Sequence, residues 1–176
     1  MTTTAPITPL SRTARRIAEQ LVHRVPSKDI AAQVNLSPHT VRSYIHTIRA
    51  TLHCPPRCPT HLVVHRLLAT GQVSLPPASG PAPDLTPAQM RLLRALTEHS
   101  RALDIGMAAG IAPADVKERV TELMGIANAE DTTHLVVLAH GWGLLPLQGK
   151  TATAGGSHES APTGPSPTTR PCSVSA

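Results

Sequence analysis

The sequence predicts an all-α protein made of two tandem four-helix units, and three observations lead to that prediction. Apolar residues recur at steps of three and four along several segments, which is the periodicity of an amphipathic helix. Aromatic residues make up 1% of the chain and Phe is absent, so a core has to be built from Leu, Val, Ile and Ala. Such a composition suits small helical units better than a large sheet. The same arrangement of apolar residues and prolines also occurs twice, at an offset of 75 residues.

The segment from Lys28 to Leu52 predicts two helices joined by a tight turn. Ser37 is a good N-cap, and Pro38 occupies the first helical position, where its missing N–H is not needed. The second helix carries an apolar stripe of Val41, Ile45, Ile48 and Leu52, and beside it a polar stripe of Arg42, Ser43, His46 and Arg49. One face can therefore pack on a core while a cationic, hydrogen-bonding face stays outside. A helix that enters the major groove of DNA has this arrangement.

This segment resembles the LuxR-type (GerE) helix-turn-helix family. The residues that carry the resemblance are Leu10-Ser11, Pro26-Ser27-Lys28-Asp29-Ile30-Ala31 and Leu36-Ser37-Pro38-His39-Thr40-Val41-Arg42, with no gap between Leu10 and Leu52. The chain departs from the family at Ala14, where Glu is usual, and at Arg24 and His53, where Gly is usual. The resemblance implies that Arg42, Ser43 and His46 contact base edges of double-stranded DNA. It also implies that the DNA backbone is held by Lys28, His39, Thr40, Tyr44 and Arg49.

The remaining helices of the first unit follow from the same patterns. A first helix over residues 12–24 would bury Ala14, Ile17, Ala18 and Leu21. The proline-rich residues 54–59 cannot be helical, and a fourth helix is expected over residues 60–69. The first unit thus spans residues 10–73. In LuxR-type domains the helix in the fourth place often forms the dimer contact.

Residues 74–84 form a Pro-rich linker that is not expected to pack, and a second, degenerate LuxR-like unit follows over residues 85–146. Thr86, Pro87 and Gln89 predict a helix start with a capping box. At the offset of 75, the positions of Arg42, Ser43 and His46 hold Lys117, Glu118 and Thr121. Because carboxylates repel phosphates, the second unit is expected to keep the fold but to contact DNA more weakly. Its expected role is dimerisation or partner binding. Residues 60–70 and 133–140 could pair between two chains, as a homodimer, or within one chain, as a pseudo-dimer.

The charge of the chain is unevenly distributed. Up to Leu75 there are nine Arg and Lys residues and two acids, a formal charge of +7. From Pro76 to Lys150 there are six cations and eight acids, a charge of −2. A basic first half favours a polyanionic partner. The prediction is a small transcriptional regulator that reads the major groove with the helix over residues 38–52. The alternative is an interaction adaptor that binds another regulator without contacting DNA.

Other function classes find little support in the sequence. Neither a membrane-spanning apolar run nor a signal peptide is present, so a cytoplasmic location is expected. We find no phosphate-cradling loop and no paired carboxylates in a cleft-forming context, so neither an enzyme nor a cofactor is expected. The spacing of Cys54, Cys58, His61 and His65 does not match that of a zinc finger, so no metal site is predicted. A disulfide between Cys54 and Cys58 is not expected in a reducing cytoplasm. His99 and His140 are expected to be exposed, and residues 149–176 have a disordered composition.

Overall fold

A computed structural model describes residues 8–55, 57–77 and 80–147 of the chain. Within these residues the secondary structure consists of eight α-helices and no strand, which confirms the prediction of an all-α protein. The helices are α1 (Arg12–Val22), α2 (Ser27–Gln33), α3 (Pro38–Thr51), α4 (Thr60–Ala69), α5 (Pro87–Glu98), α6 (Ala102–Ala109), α7 (Val116–Ile126) and α8 (Thr132–Gly141). The predicted tail over residues 149–176 lies outside the described residues.

Local capping explains where several helices begin. Ser37 accepts a hydrogen bond from the backbone N–H of Thr40, and Pro38 opens α3 as predicted. Thr86 and Gln89 form both halves of the predicted capping box at the start of α5. Because each cap satisfies backbone donors that the helix leaves free, these sequence signals place the helix starts accurately.

The helix α1 ends at Val22 rather than at the predicted residue 24. Arg24 adopts a left-handed backbone conformation with φ 61°, and its N–H donates to the carbonyl of Leu21. His53, just after α3, has φ 51°. At both positions, LuxR-type sequences usually have glycine. The left-handed backbone explains why a glycine would be favoured at either position.

The described residues form two hydrophobic cores, one for each group of four helices. The first contains the fully buried side chains of Ile17, Ile30, Val41, Ile48 and Leu67, and the second is built around Leu93, Leu123 and Leu135. Ala14, Ile17, Ala18 and Leu21 are all buried in the first core, as the sequence predicted. The apolar stripe of α3 is buried at Val41, Ile48 and Leu52, whereas Ile45 packs against the core while only partly buried.

The two helix groups contact one another through α4. This helix packs against α8 and, with fewer contacts, against α5. Val137 of α8 packs on the first core. Beside this interface, the guanidinium of Arg24 lies 2.7 Å from the carboxylate of Glu130 and 3.3 Å from that of Asp131. The segments 60–70 and 133–140 therefore meet within one chain in this structure.

The linker is more closely tied to the second helix group than the sequence suggested. The indole N–H of Trp142 donates to the carbonyl oxygen of Gly80 at 3.1 Å. Pro83 is partly buried, although no helix forms between Ala69 and Pro87 in the described residues. This hydrogen bond joins residues 62 positions apart and is not visible in the local composition of the linker.

Candidate nucleic-acid interface

The central element of the candidate interface is α3, which has one buried face and one exposed face. Val41, Ile48 and Leu52 have no exposed surface and fix the helix to the first core. The three residues expected to contact bases, Arg42, Ser43 and His46, are all exposed. The structure thus brings these three side chains together on the solvent side of α3, uncovered by the second helix group.

The hydroxyl groups of α3 are engaged along the helix. Ser43 donates its hydroxyl hydrogen to the carbonyl of His39, one turn earlier, at 3.3 Å. Thr47 donates in the same way to Ser43. Such back-bonds leave the lone pairs of the hydroxyl oxygen free to accept from a base or a phosphate-bound water. The hydroxyls therefore remain usable as acceptors at the surface.

The residues expected to hold the DNA backbone occupy different environments. Lys28 in the first turn of α2 and His39 in the first turn of α3 are exposed, and Thr40 is half-buried beside its cap partner Ser37. Tyr44 is half-buried and packs against the first core, so only part of its surface can face a ligand.

Arg49 differs from the other expected backbone contacts. It is half-buried, and its Nε atom is buried without a hydrogen-bond partner. Burial raises the pKa of Cys54, and the positive charge of Arg49 opposes that rise, which places the guanidinium near the loop that follows α3. Its stem therefore belongs to the packing of the first helix group, and its outer nitrogens are the atoms available to a phosphate.

The surface around α3 is positive. Among the described residues, Arg12, Arg15, Arg16, Lys28, Arg42 and Arg57 are exposed and have no carboxylate within 4.0 Å. Glu130 and Asp131 pair instead with Arg24, whose pKa is raised chiefly by the hydrogen bond to Glu130. The cations on α1, α2 and α3 thus remain free to meet an external polyanion.

The equivalent surface of the second helix group has a different chemistry. Lys117, Glu118 and Thr121 of α7 are exposed, and Arg119 is paired with Glu122 at 2.9 Å. On the neighbouring helix α6, Leu103 is 49% exposed and Met107 is 76% exposed. Leu103 stands at the position of Lys28, so an apolar side chain replaces a cation there.

Comparisons with known proteins leave this geometry as the main guide to function. Protein-family models, curated proteins and solved structures were all searched, and none of them matches the chain.

The cysteines and histidines near α4 do not form a metal centre in the described residues, where no group of three or more suitable ligands lies close together. Cys54 and Cys58 are free thiols. Burial raises the pKa of Cys54 to about 12 and also raises the pKa of Cys58, so both thiols are protonated at neutral pH. A protonated thiol is a poor metal ligand and a poor nucleophile. Cys172 lies outside the described residues.

A polar contact between α4 and α8 is among those that sequence reasoning missed. His65 Nδ1 of α4 lies 3.0 Å from His140 Nε2 of α8, and His140 is only 3% exposed, so the expectation that it is exposed was wrong. His99 is half-buried rather than exposed. Burial lowers the pKa of His65 and of His140 to about 4, and both rings are therefore neutral near pH 7. No local pattern could have found this pair, because its members are 75 residues apart.

No helix among the described residues combines the length and the apolar character needed to cross a membrane.

Proposed function

We propose that this chain binds double-stranded DNA and regulates transcription, with α3 lying in the major groove. The observation that carries the proposal is the division of α3 into a fully buried face and an exposed face bearing Arg42, Ser43 and His46. An arginine can donate two hydrogen bonds to O6 and N7 of guanine, and Ser or His can complete the contact with a neighbouring base. The resemblance to LuxR-type helix-turn-helix proteins assigns the same three residues to bases.

Electrostatics support the same proposal. Free cations on α1, α2 and α3 can neutralise phosphates, and such neutralisation provides most of the non-specific affinity of a DNA-binding protein. Lys28 and His39 lie in the first turns of two different helices, where they can hold the backbone on either side of the groove.

A salt titration of binding to mixed duplex DNA tests this proposal. If five or six phosphates are neutralised, the logarithm of the association constant should fall with the logarithm of salt concentration at a slope of about −5. Absence of binding at low salt would contradict the proposal and favour an adaptor.

Matched variants separate base contacts from backbone contacts. Arg42→Ala should weaken binding to a selected site by about 1–3 kcal/mol more than binding to random DNA. Lys28→Ala should weaken both by a similar factor. Lys117→Ala, at the position equivalent to Arg42 in the second helix group, is the control and should leave the difference between the selected site and random DNA unchanged.

The alternative, an adaptor that binds another regulator, is favoured by one observation. Leu103 and Met107 lie one turn apart on α6 and are both largely exposed, as a protein contact would require. Replacing both with Ser should leave DNA binding unchanged if the two helix groups have separate roles. Loss of DNA binding in that variant would show that the second group contributes to the DNA contact.

A further inference from the structure

A cleft of about 700 Å³ opens where α4 meets the second helix group. One wall is formed by His65 and Arg66 of α4, a second by Arg94, Thr97 and Glu98 of α5, and a third by residues 143–146 after α8. The cleft is distinct from the exposed face of α3, since none of the residues expected to contact DNA lines it. Its volume lies within the range of roughly 300–1,000 Å³ that is usual for small-molecule sites.

Two arginines line this cleft from different helices. Arg94 is exposed and has no carboxylate within 4.0 Å among the described residues, although Glu98 lies one helical turn further along α5. Arg66 is half-buried and uses one nitrogen to donate to the carbonyl oxygen of Leu52 at 3.2 Å, which leaves other N–H groups free. A guanidinium has five N–H donors in a planar fork that matches a carboxylate.

The remaining lining limits the charge and the shape of a ligand. Glu98 offsets one of the two guanidiniums, so the lining carries a single net positive charge while His65 is neutral. Thr97 already donates its hydroxyl hydrogen to the carbonyl of Arg94. Leu144, Leu145 and Pro146 supply apolar side chains to the lining. A ligand with one negative charge and an apolar body fits this lining.

We propose that this cleft binds a small monocarboxylic acid with an apolar body. The carboxylate pairs with Arg94 and Arg66, and the body lies against residues 144–146. Arg66 also donates to the carbonyl oxygen of Leu52, so a carboxylate that repositions the guanidinium also changes its contact with the end of α3. Ligand binding itself is independent of the function proposed above, whereas its effect on DNA rests on that function.

Trp142 provides a direct readout in the full chain. It is the only tryptophan of the sequence and immediately precedes Gly143, which lines the cleft. Titration with hexanoate should change its fluorescence saturably, with a midpoint of about 1 mM or tighter. Hexanamide has the same body without the charge and should give no saturable change over the same range.

Two arginines on one helix make a matched pair of variants. Arg94→Gln removes a lining cation and should weaken hexanoate binding about tenfold, because a charge-assisted hydrogen bond is lost. Arg91→Gln removes an equally exposed cation of α5 outside the cleft and should leave the midpoint unchanged. Equal effects of the two variants would overturn the proposal, as would a response to hexanamide or to inorganic phosphate at the hexanoate midpoint.

The link to DNA is measured separately. Saturating hexanoate should weaken DNA binding about fivefold in the natural chain and leave it unchanged in Arg94→Gln. If DNA binding is absent while the fluorescence titration succeeds, the proposed function fails and the ligand site stands. If DNA binds but no hexanoate titration saturates, the ligand site fails alone.

Discussion

The helices α3 and α7 hold equivalent positions in the two halves of the sequence, but their exposed faces differ in chemistry. Val41 and Ile48 of α3 correspond to Val116 and Leu123 of α7, and all four are buried. On the outer side, Ser43 is replaced by Glu118. At these equivalent positions the inward residues are thus apolar in both helices, whereas the outward residues Ser43 and Glu118 differ in charge.

The turns before these two helices also differ. Residues 113–115 form a turn, so α7 begins three residues later than the offset of 75 from Pro38 would place it. Gly106 stands where α2 has Ala31, and a Cβ atom there would lie 2.8 Å from the carbonyl oxygen of Ile111. The closer approach in the second helix group leaves no room for a side chain. A shared apolar pattern therefore tolerates local differences in turn geometry.

The largest effect is expected from emptying the equivalent core positions Ile48 and Leu123. Both side chains are fully buried, so Ile48→Ala and Leu123→Ala should each lower the free energy of unfolding by about 2–5 kcal/mol. Calorimetry distinguishes two outcomes. A single transition lowered by either variant means that the contact between α4 and α8 makes the halves unfold together. Two transitions, each sensitive to one variant, would show that the halves are independent.

The second largest effect is expected from acid, which should weaken the contact between the two helix groups. The pKa of His65 and of His140 is lowered from 6.5 to about 4 by burial, so the unfolded chain takes up protons first as the pH falls. The contribution of each histidine to the free energy of unfolding is therefore nearly constant above about pH 6.5 and falls between that pH and about 4, by at most about 2 kcal/mol at pH 5.

A substitution at the histidine pair checks this assignment. His140→Leu removes one titrating ring together with its Nδ1 atom, which is buried without a partner. Denaturant unfolding at several pH values should then show a smaller loss of stability on acidification, with His65 and the half-buried His61 causing the remainder. An unchanged pH dependence would mean that other groups cause the acid sensitivity.

A smaller effect is expected from converting the surface of α7 towards that of α3. Replacing Glu118 with Ser and Thr121 with His introduces the side chains found at Ser43 and His46. If both helix groups can approach one duplex, removing the carboxylate of Glu118 removes its repulsion of the DNA phosphates. Binding to random DNA should then strengthen by about 1 kcal/mol at low salt. Unchanged affinity, measured by fluorescence anisotropy, would show that α7 stays away from DNA.

The smallest effect compares two residues with a left-handed backbone. His53→Gly should stabilise the chain by about 0.5–1 kcal/mol, because glycine adopts φ 51° without a steric penalty. Arg24→Gly should gain less, since it also removes the ion pairs with Glu130 and Asp131. Thermal unfolding of the two variants gives the comparison. A larger gain for Arg24→Gly would indicate that these ion pairs contribute nothing.

Much of the fold could be predicted from sequence because its signals are local. The bounds of α4 were predicted at both ends, and the caps at Ser37 and Thr86 lie where expected. Each depends on residues within one helical turn. The end of α1 was predicted less accurately. A glycine would have marked this end, but the residue with the left-handed conformation there is Arg24.

The sequence likewise predicts the exposure of some residues of the candidate site but not of others. The exposure of Arg42, Ser43 and His46 follows from the period of α3, and the sequence predicts it directly. The partial burial of Arg49 depends on the loop after α3 and could not be predicted from that period.

The sequence by itself determined the helices, the inward apolar positions and the excess of cations in the first half, because each is set by neighbouring residues or by composition. Only the tertiary structure decided that His65 meets His140, that Arg24 pairs with Glu130, and that a cleft opens beside α4. All three depend on how α4 lies against the second helix group. That placement is fixed by contacts between residues far apart in the chain, and no local periodicity encodes them.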